Sequence, residues 1–398
     1  MVNIMAKRRK SKIRLTVAVS CYQKQPFFRS ALDSILAVIK DRTDTELLIC
    51  DDGSPEGGDG DIAREYAKQY KFIRVLKNPG NKGIKYSYSR LVEEAKGDYF
   101  MPFDCDDILL PFNLDNNMEF LDANPHIAAT YGKKRYFKDN RDLSRNGGGD
   151  HSVFVMSYLP RTTHNAMFIR MSDLKEVGGY SSPLFHTEIK GPVDVTMWVS
   201  LALKKDLLFV DEYRLLYREH DNQYTMSHKK EYMEEYRTIR REIGENYPEL
   251  YQAIHNRTQF FVPVELVRPA AVLFGAEVMR PDLTPEIKLG LLDQIEQLIP
   301  GDMGVYECRL NILKHLGRWG EVYDKAQVMY LKSNGKRYSQ LFALNVLLEA
   351  AEKLHVPAHI FQDLKKQVSL QFFAMTQEHH RIFQSVLANN GYYSAEEK

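Results

Sequence analysis

The sequence lacks any run of about eighteen apolar residues, which excludes a helical membrane span within the chain. Cysteine is scarce. Cys21, Cys50, Cys105 and Cys308 form no CxxC pair and no regular framework, which argues against structural zinc and disulfides and for reduced thiols in a cytosol. There is no excess of either charge. With 54 basic against 53 acidic residues, a net charge of +1, no nucleic acid is expected as a partner. Neither GxGxxG nor GxxxxGK followed by Ser or Thr occurs, which speaks against dinucleotide and P-loop sites. The basic opening MVNIMAKRRKSK is followed by RLTVAVS, too short for the apolar core of a signal peptide. The expectation is a cytoplasmic protein with a disordered basic tail over 1–13, making at most peripheral contact with the inner face of a membrane.

What is present is an ordinary globular composition, 44% hydrophobic and 27% charged, over 398 residues, enough for two domains. From Arg14 to about Gly132, short β-rich runs (RLTVAVS, ELLICDD, KFIRVLKN, GDYFMPFD, HIAATYG) alternate with stretches of helical spacing at 27–40, 61–70 and 86–96. Such alternation predicts an α/β, doubly wound and mostly parallel sheet flanked by helices. The stretch 133–224 is less regular and holds a glycine-rich loop at 146–152. Beyond about Lys229 strand signals vanish, and Thr284 with Pro285 opens one of a series of amphipathic helices, the last over 358–387. The expected domains are therefore 14–228, α/β, and 229–398, all-helical.

On doubly wound sheets ligands lie beyond the carboxyl ends of the strands, which directs attention to Ser20, Asp51, Asp52 and Asp104. Two acidic clusters, ELLICDDGS at 46–54 and YFMPFDCDD at 99–107, both close strands of this sheet. Carboxylates concentrated at one crevice call for a cation or for sugar hydroxyls, and Asp-x-Asp at Asp104 and Asp106 suits a hard divalent ion that also holds a diphosphate.

With these motifs the sequence resembles the family 2 glycosyltransferases of GT-A fold over about residues 14–227. VAVSCYQ, DDGS, NPGNKG, FDCDDILLP, NPHIAATYG, MFIRMSDLKEVGGYSSPL, DVTMWVSLA and LLYREHDNQYT follow in the family's order. The resemblance implies that Ser20 and Tyr22 meet the nucleoside base, that Asp52 hydrogen-bonds it and that Asp104 holds ribose or sugar hydroxyls. It implies Mn²⁺ or Mg²⁺ on Asp106, completed by His220, with Arg218 assisting the diphosphate. Asp194 aligns with the catalytic base. Plainer readings stand beside these: Asp194 as a carboxylate serving a helix N-terminus, His220 as a structural histidine, Arg218 as a surface cation.

Departures from the family pattern are Ser20 and Gln23 in the first turn, Tyr88 and Ser89 where Arg-Asn is common, and Val193 before the base. No QxxRW follows, the nearest segment being HLGRW at 315–319, which favours single-sugar transfer over a processive synthase. The resulting expectation is a metal-dependent inverting transferase using a nucleotide diphosphate sugar, a UDP-sugar, on a glycan, lipid-linked or protein acceptor in surface polysaccharide biosynthesis. The alternative is a non-catalytic sugar-nucleotide or glycan-binding module. The helical domain is expected to position the acceptor or to form a homodimer.

Overall fold

The computed structural model describes residues 13–139, 141–149, 162–221, 223, 229–257, 261–333 and 336–371. In chain order the strands are β1 (Leu15–Cys21), β2 (Thr45–Asp51), β3 (Ile73–Lys77), β4 (Tyr99–Asp104), β5 (Ile108–Leu109), β6 (Ile127–Lys138), β7 (Arg141–Gly147), β8 (Phe168–Arg170) and β9 (Asp206–Arg218). The helices of the α/β part are α1 (Gln25–Ile39), α2 (Asp59–Gln69), α3 (Ile84–Glu94), α4 (Leu114–Ala123), α5 (Met171–Glu176) and α6 (Val193–Ala202). The helical part runs through α7 (Lys229–Asn246), α8 (Pro248–His255), α9 (Val267–Val278), α10 (Pro285–Leu298), α11 (Met303–His315), α12 (Trp319–Lys332), α13 (Arg337–Lys353) and α14 (358–371). The expected tail over 1–12, residues 150–152 of the glycine-rich loop and the end of the last expected helix lie outside the described residues.

Because side chains alternate along a strand, β1 and β2 feed two separate cores. Leu15, Val17, Val19, Leu47 and Ile49 face α1, α2 and α4, while Ala18, Leu48 and Cys50 face α3, α5 and α6. Both strands are buried almost throughout, as befits parallel strands covered by helices on each side. Replacing any of these fully buried Leu or Ile residues by Ala would cost about 2–5 kcal/mol.

The sheet order is β3-β2-β1-β4-β8-β6-β9-β5, with β7 on β6. β1, β2, β3 and β4 are parallel, whereas β8 runs antiparallel to both β4 and β6. The chain thus winds outward from β1 through β2 to β3 and restarts at β4 on the other side of β1. That reversal opens a crevice between β1 and β4. The stretch expected to be less regular supplies β7, β8 and β9.

The second core continues into the helical part, where Tyr236, Ile239 and Ile243 of α7, Ala270 to Phe274 of α9 and Leu291, Leu292 and Ile295 of α10 join it. A third core lies among α11, α12 and α13. Thr284 caps α10 as expected, its hydroxyl accepting from the Ile287 N–H at 3.4 Å with Pro285 first in the helix. Among the described residues no helix is long and apolar enough to cross a membrane.

Candidate active site

The crevice between β1 and β4 is where the acidic residues gather. Ser20 on β1 stands in register with Asp104 on β4. In the turn after β4, Asp104, Asp106 and Asp107 bring carboxylate oxygens within 4.8 Å of one another. Asn165 ties this turn to β8: its carbonyl accepts from the Asp104 N–H at 3.1 Å, and its amide donates to Asp107 Oδ2. Asp107 Oδ1 accepts from the Arg218 N–H at 2.8 Å, so the fully buried Asp107 braces β9 against the turn. Tyr88 Oη donates to Asp104 Oδ1 at 3.3 Å.

Crowding shows in the proton affinities. Burial, and then the charge of Asp106, pushes Asp104 up to about 6. Asp107 is pushed well above the carboxylate range by burial and by both neighbours. Asp106 goes the other way. Burial would raise it, but the hydrogen bond from His220 and the Lys24 ammonium outweigh that and hold its carboxyl below the usual value.

His220 Nε2 lies 3.0 Å and Lys24 Nζ 3.1 Å from Asp106 Oδ2. The imidazole packs on Phe27, ring centroids 4.6 Å apart, and its buried Nδ1 has no hydrogen-bond partner among the described residues. Lys24 is held by its backbone N–H, which donates to Asp59 Oδ2 at 2.8 Å, and follows Gln23, a non-glycine residue at φ 54°. Arg218 is buried rather than a surface cation. Its Nε donates to the Asp106 carbonyl at 2.8 Å, and its guanidinium sits between the rings of Phe27 and Phe137.

This donor set fits a hard divalent cation. Two of its three carboxylates are driven toward protonation by burial and by their neighbours' charge, and an imidazole with a ring nitrogen not used toward Asp106 stands beside the third. Asp104, Asp106 and His220 are the residues that could hold the ion.

The other acidic strand end is turned to a different task. Asp51 is fully buried and accepts from the Ser54 N–H at 2.8 Å. Asp52 accepts from Asn78 Nδ2 at 2.7 Å, Lys82 N–H at 2.9 Å and Gly83 N–H at 2.8 Å, which fixes NPGNKG ahead of α3. Between them and that loop Gly53 adopts φ 78°, and a Cβ there would stand 2.4 Å from the Gly80 carbonyl carbon. Among the described residues no hydrogen bond or ion pair joins Asp52 to the trio. Tyr22, partly exposed just past the carboxyl end of β1, accepts from Gln23 Nε2 at 3.3 Å.

Asp194 opens α6 and accepts from the Val195 N–H at 3.0 Å. Burial raises its carboxyl above the ordinary value; the nearby His164 opposes the rise, and the charge of Asp104 adds to it. His164 in turn lies 2.6 Å from Tyr180 Oη, and Tyr180 stacks on Tyr88 with centroids 4.8 Å apart. Tyr88, His164, Tyr180 and Trp198 thus form a chain of ring contacts that starts beside Asp104, to which Tyr88 donates.

Residues 16–176 match the model of glycosyl transferase family 2. This segment is a family 2 glycosyltransferase domain. Similar proteins include EpsE of Bacillus subtilis, named as a candidate glycosyltransferase, 30% identical over 28% of this chain and 40% of its own length. An uncharacterized glycosyltransferase of Methanocaldococcus jannaschii is 25% identical over 45% of this chain and 62% of its own. The chain therefore spans less than two thirds of these relatives. Staphylococcus aureus TarS 1–349, solved in complex with UDP-GlcNAc, superposes with a TM-score of 0.50 at 15% identity, covering 79% of this chain and 89% of TarS 1–349. That likeness shows the fold, and the GT-A architecture of the glycosyltransferase domain agrees with the sequence expectation.

Sequence reasoning missed several residues of this site. Asp107 was visible in the DCDD run, as a second carboxylate facing away from the first. Lys24 carried no signal, since a lone lysine after a strand reads as solvated. Asn165 lies 58 residues beyond Asp107 and meets it only through the β4–β8 pairing.

Proposed function

We propose that the protein is a metal-dependent inverting glycosyltransferase, moving one sugar from a nucleotide diphosphate sugar, a UDP-sugar, to a hydroxyl of a glycan, lipid-linked or protein acceptor. The observation that carries this reading is the carboxylate trio with His220 at the β1–β4 crevice of a family 2 glycosyltransferase domain. Ser20 and Tyr22 line the nucleoside side. Asp52, with one oxygen still able to accept, meets the base. Asp104 takes ribose or sugar hydroxyls, and Arg218 stabilises the turn that faces the diphosphate.

Asp106 and His220 hold Mn²⁺ or Mg²⁺. When bound, the cation neutralises the departing diphosphate. Asp194 removes the acceptor proton as the acceptor oxygen bonds to the anomeric carbon and the bond from that carbon to the diphosphate breaks, from the opposite face. Its raised proton affinity makes it a stronger base than an exposed aspartate.

Calorimetric titration with UDP, with and without Mn²⁺, tests the reading. Binding that strengthens with Mn²⁺ is expected, and no binding under either condition in folded protein would overturn it. A thermal-shift panel of nucleotide sugars then identifies the donor, since a ligand of the native state raises its apparent stability.

Lys24 supplies a separate check. Its ammonium now neutralises Asp106, so Lys24→Met, similar in length but uncharged, should tighten binding of Mn²⁺ alone by about tenfold. An unchanged Mn²⁺ affinity would mean that Asp106 is not the metal ligand.

A further inference from the structure

Helix α7 lies beyond the expected domain boundary, yet its side chains reach back to the segment that leads into Asp194. Glu235 accepts from the N–H groups of Lys190 at 2.9 Å and Gly191 at 2.8 Å, one on each carboxylate oxygen. Seven residues on, and so on the same helix face, Glu242 accepts from the N–H groups of His186 at 2.8 Å and Thr187 at 3.0 Å, again one on each oxygen, with the Thr187 hydroxyl as a further donor. Asn246 extends the row, donating to the Leu184 carbonyl at 2.9 Å.

Residues 186–191 form no regular structure, so these amides have no ladder of their own to satisfy them. Glu242 is 2% exposed, a place where a carboxylate survives only with its charge hydrogen-bonded. Burial would raise its proton affinity, but the Thr187 hydroxyl and the two amides hold its carboxyl below the usual range. Tyr236, Ile239 and Ile243 pack in the core that also holds Val193, Val195 and Trp198, so clamp and base-bearing helix share one hydrophobic core.

We propose that Glu235 and Glu242 are positioning residues for the transfer reaction: by clamping 186–191 at two points they fix the start of α6 and thereby the carboxylate of Asp194. This rests on the reading of Asp194 as base. The role of the helical region, or at least of its first helix, is then to act as a splint for the catalytic loop. A base must be held to a fraction of an ångström, and a shift of about 1 Å can cost about 100-fold in rate. A loop without ladder bonds does not supply that by itself.

The test uses the full chain carrying Glu235→Gln and Glu242→Gln. Glutamine keeps the size but offers an NH₂ group to one amide of each pair, so each two-point clamp is broken. Hydrogen exchange at His186, Thr187, Lys190 and Gly191 should accelerate, and kcat per UDP-binding site should fall by about 10- to 100-fold, with UDP affinity and donor KM unchanged. The same two substitutions placed on Asp194→Asn should lower the residual rate no further. A rise in exchange with unchanged kcat, a parallel loss of donor affinity, or full additivity with Asp194→Asn would each overturn the proposal. Should Asp194→Asn alone keep wild-type turnover, the base reading fails separately. Glu235→Gln alone, at a partly exposed carboxylate, offers the same readouts at smaller amplitude if the double variant does not fold.

Discussion

Asp194→Asn should lower transfer by roughly two to four orders of magnitude, the scale of a lost general base, while UDP and Mn²⁺ binding stay close to wild type. Asparagine keeps the shape and can still accept the Val195 N–H bond that fixes the rotamer, but it cannot take a proton. The pH profile sharpens the test. Because the Asp194 carboxyl titrates above the ordinary value, kcat of the wild type should be full above that raised pKa and fall as pH drops through it. The acid limb should then begin at higher pH than an exposed aspartate would give, and vanish in the variant. Wild-type turnover of Asp194→Asn at saturating donor and acceptor would show that the base lies elsewhere.

Asp106→Ala should act on binding instead. The carboxylate is the partner of both His220 and Lys24, and its loss leaves the diphosphate facing Asp104 and Asp107 without a bridging cation. Even a supporting contact to a metal is worth about 10- to 100-fold in metal affinity, so Mn²⁺-dependent UDP binding should weaken by at least that much. Titration of UDP at several Mn²⁺ concentrations reads this directly. An unchanged metal dependence would mean the site is misplaced, whatever happens to turnover. Asp106→Ala and Asp194→Asn should therefore fail in different assays.

The half of the sheet built from β1 to β4 was legible because each strand alternates strictly between two cores and each helix carries one apolar stripe. β9 was harder to read. Its sequence DLLFVDEYRLLYR is interrupted by Arg214, which is fully buried because its guanidinium donates to the Thr130 and Ala166 carbonyls, Asn117 and Glu212. A charge in a strand breaks the period-2 pattern unless its partners are known, and these come from β6, β9, α4 and the segment before β8. The site divides in the same way. Asp104, Asp106 and Asp194 sit in runs that announce a strand end or helix start, whereas Lys24, His164 and Asn165 gain meaning only from neighbours distant in sequence. Asp52 was legible as important, but its engagement with 78–83 depends on the backbone of a loop, which residue type does not encode.

Helix α11 carries Val305 and Cys308 in the core shared with the sheet, and Met303, Tyr306, Leu310 and Leu313 in the core of the last helices. It is the hinge pin of the chain's modularity. Recombination that exchanged the C-terminal module at the apparent α/β-to-helix border would strip one wall from the catalytic core, whereas exchange beyond α11 would leave that core whole. Lineages that vary this module should therefore preserve α7 to α11 as part of the inherited catalytic unit, and diversify only in the helices that follow.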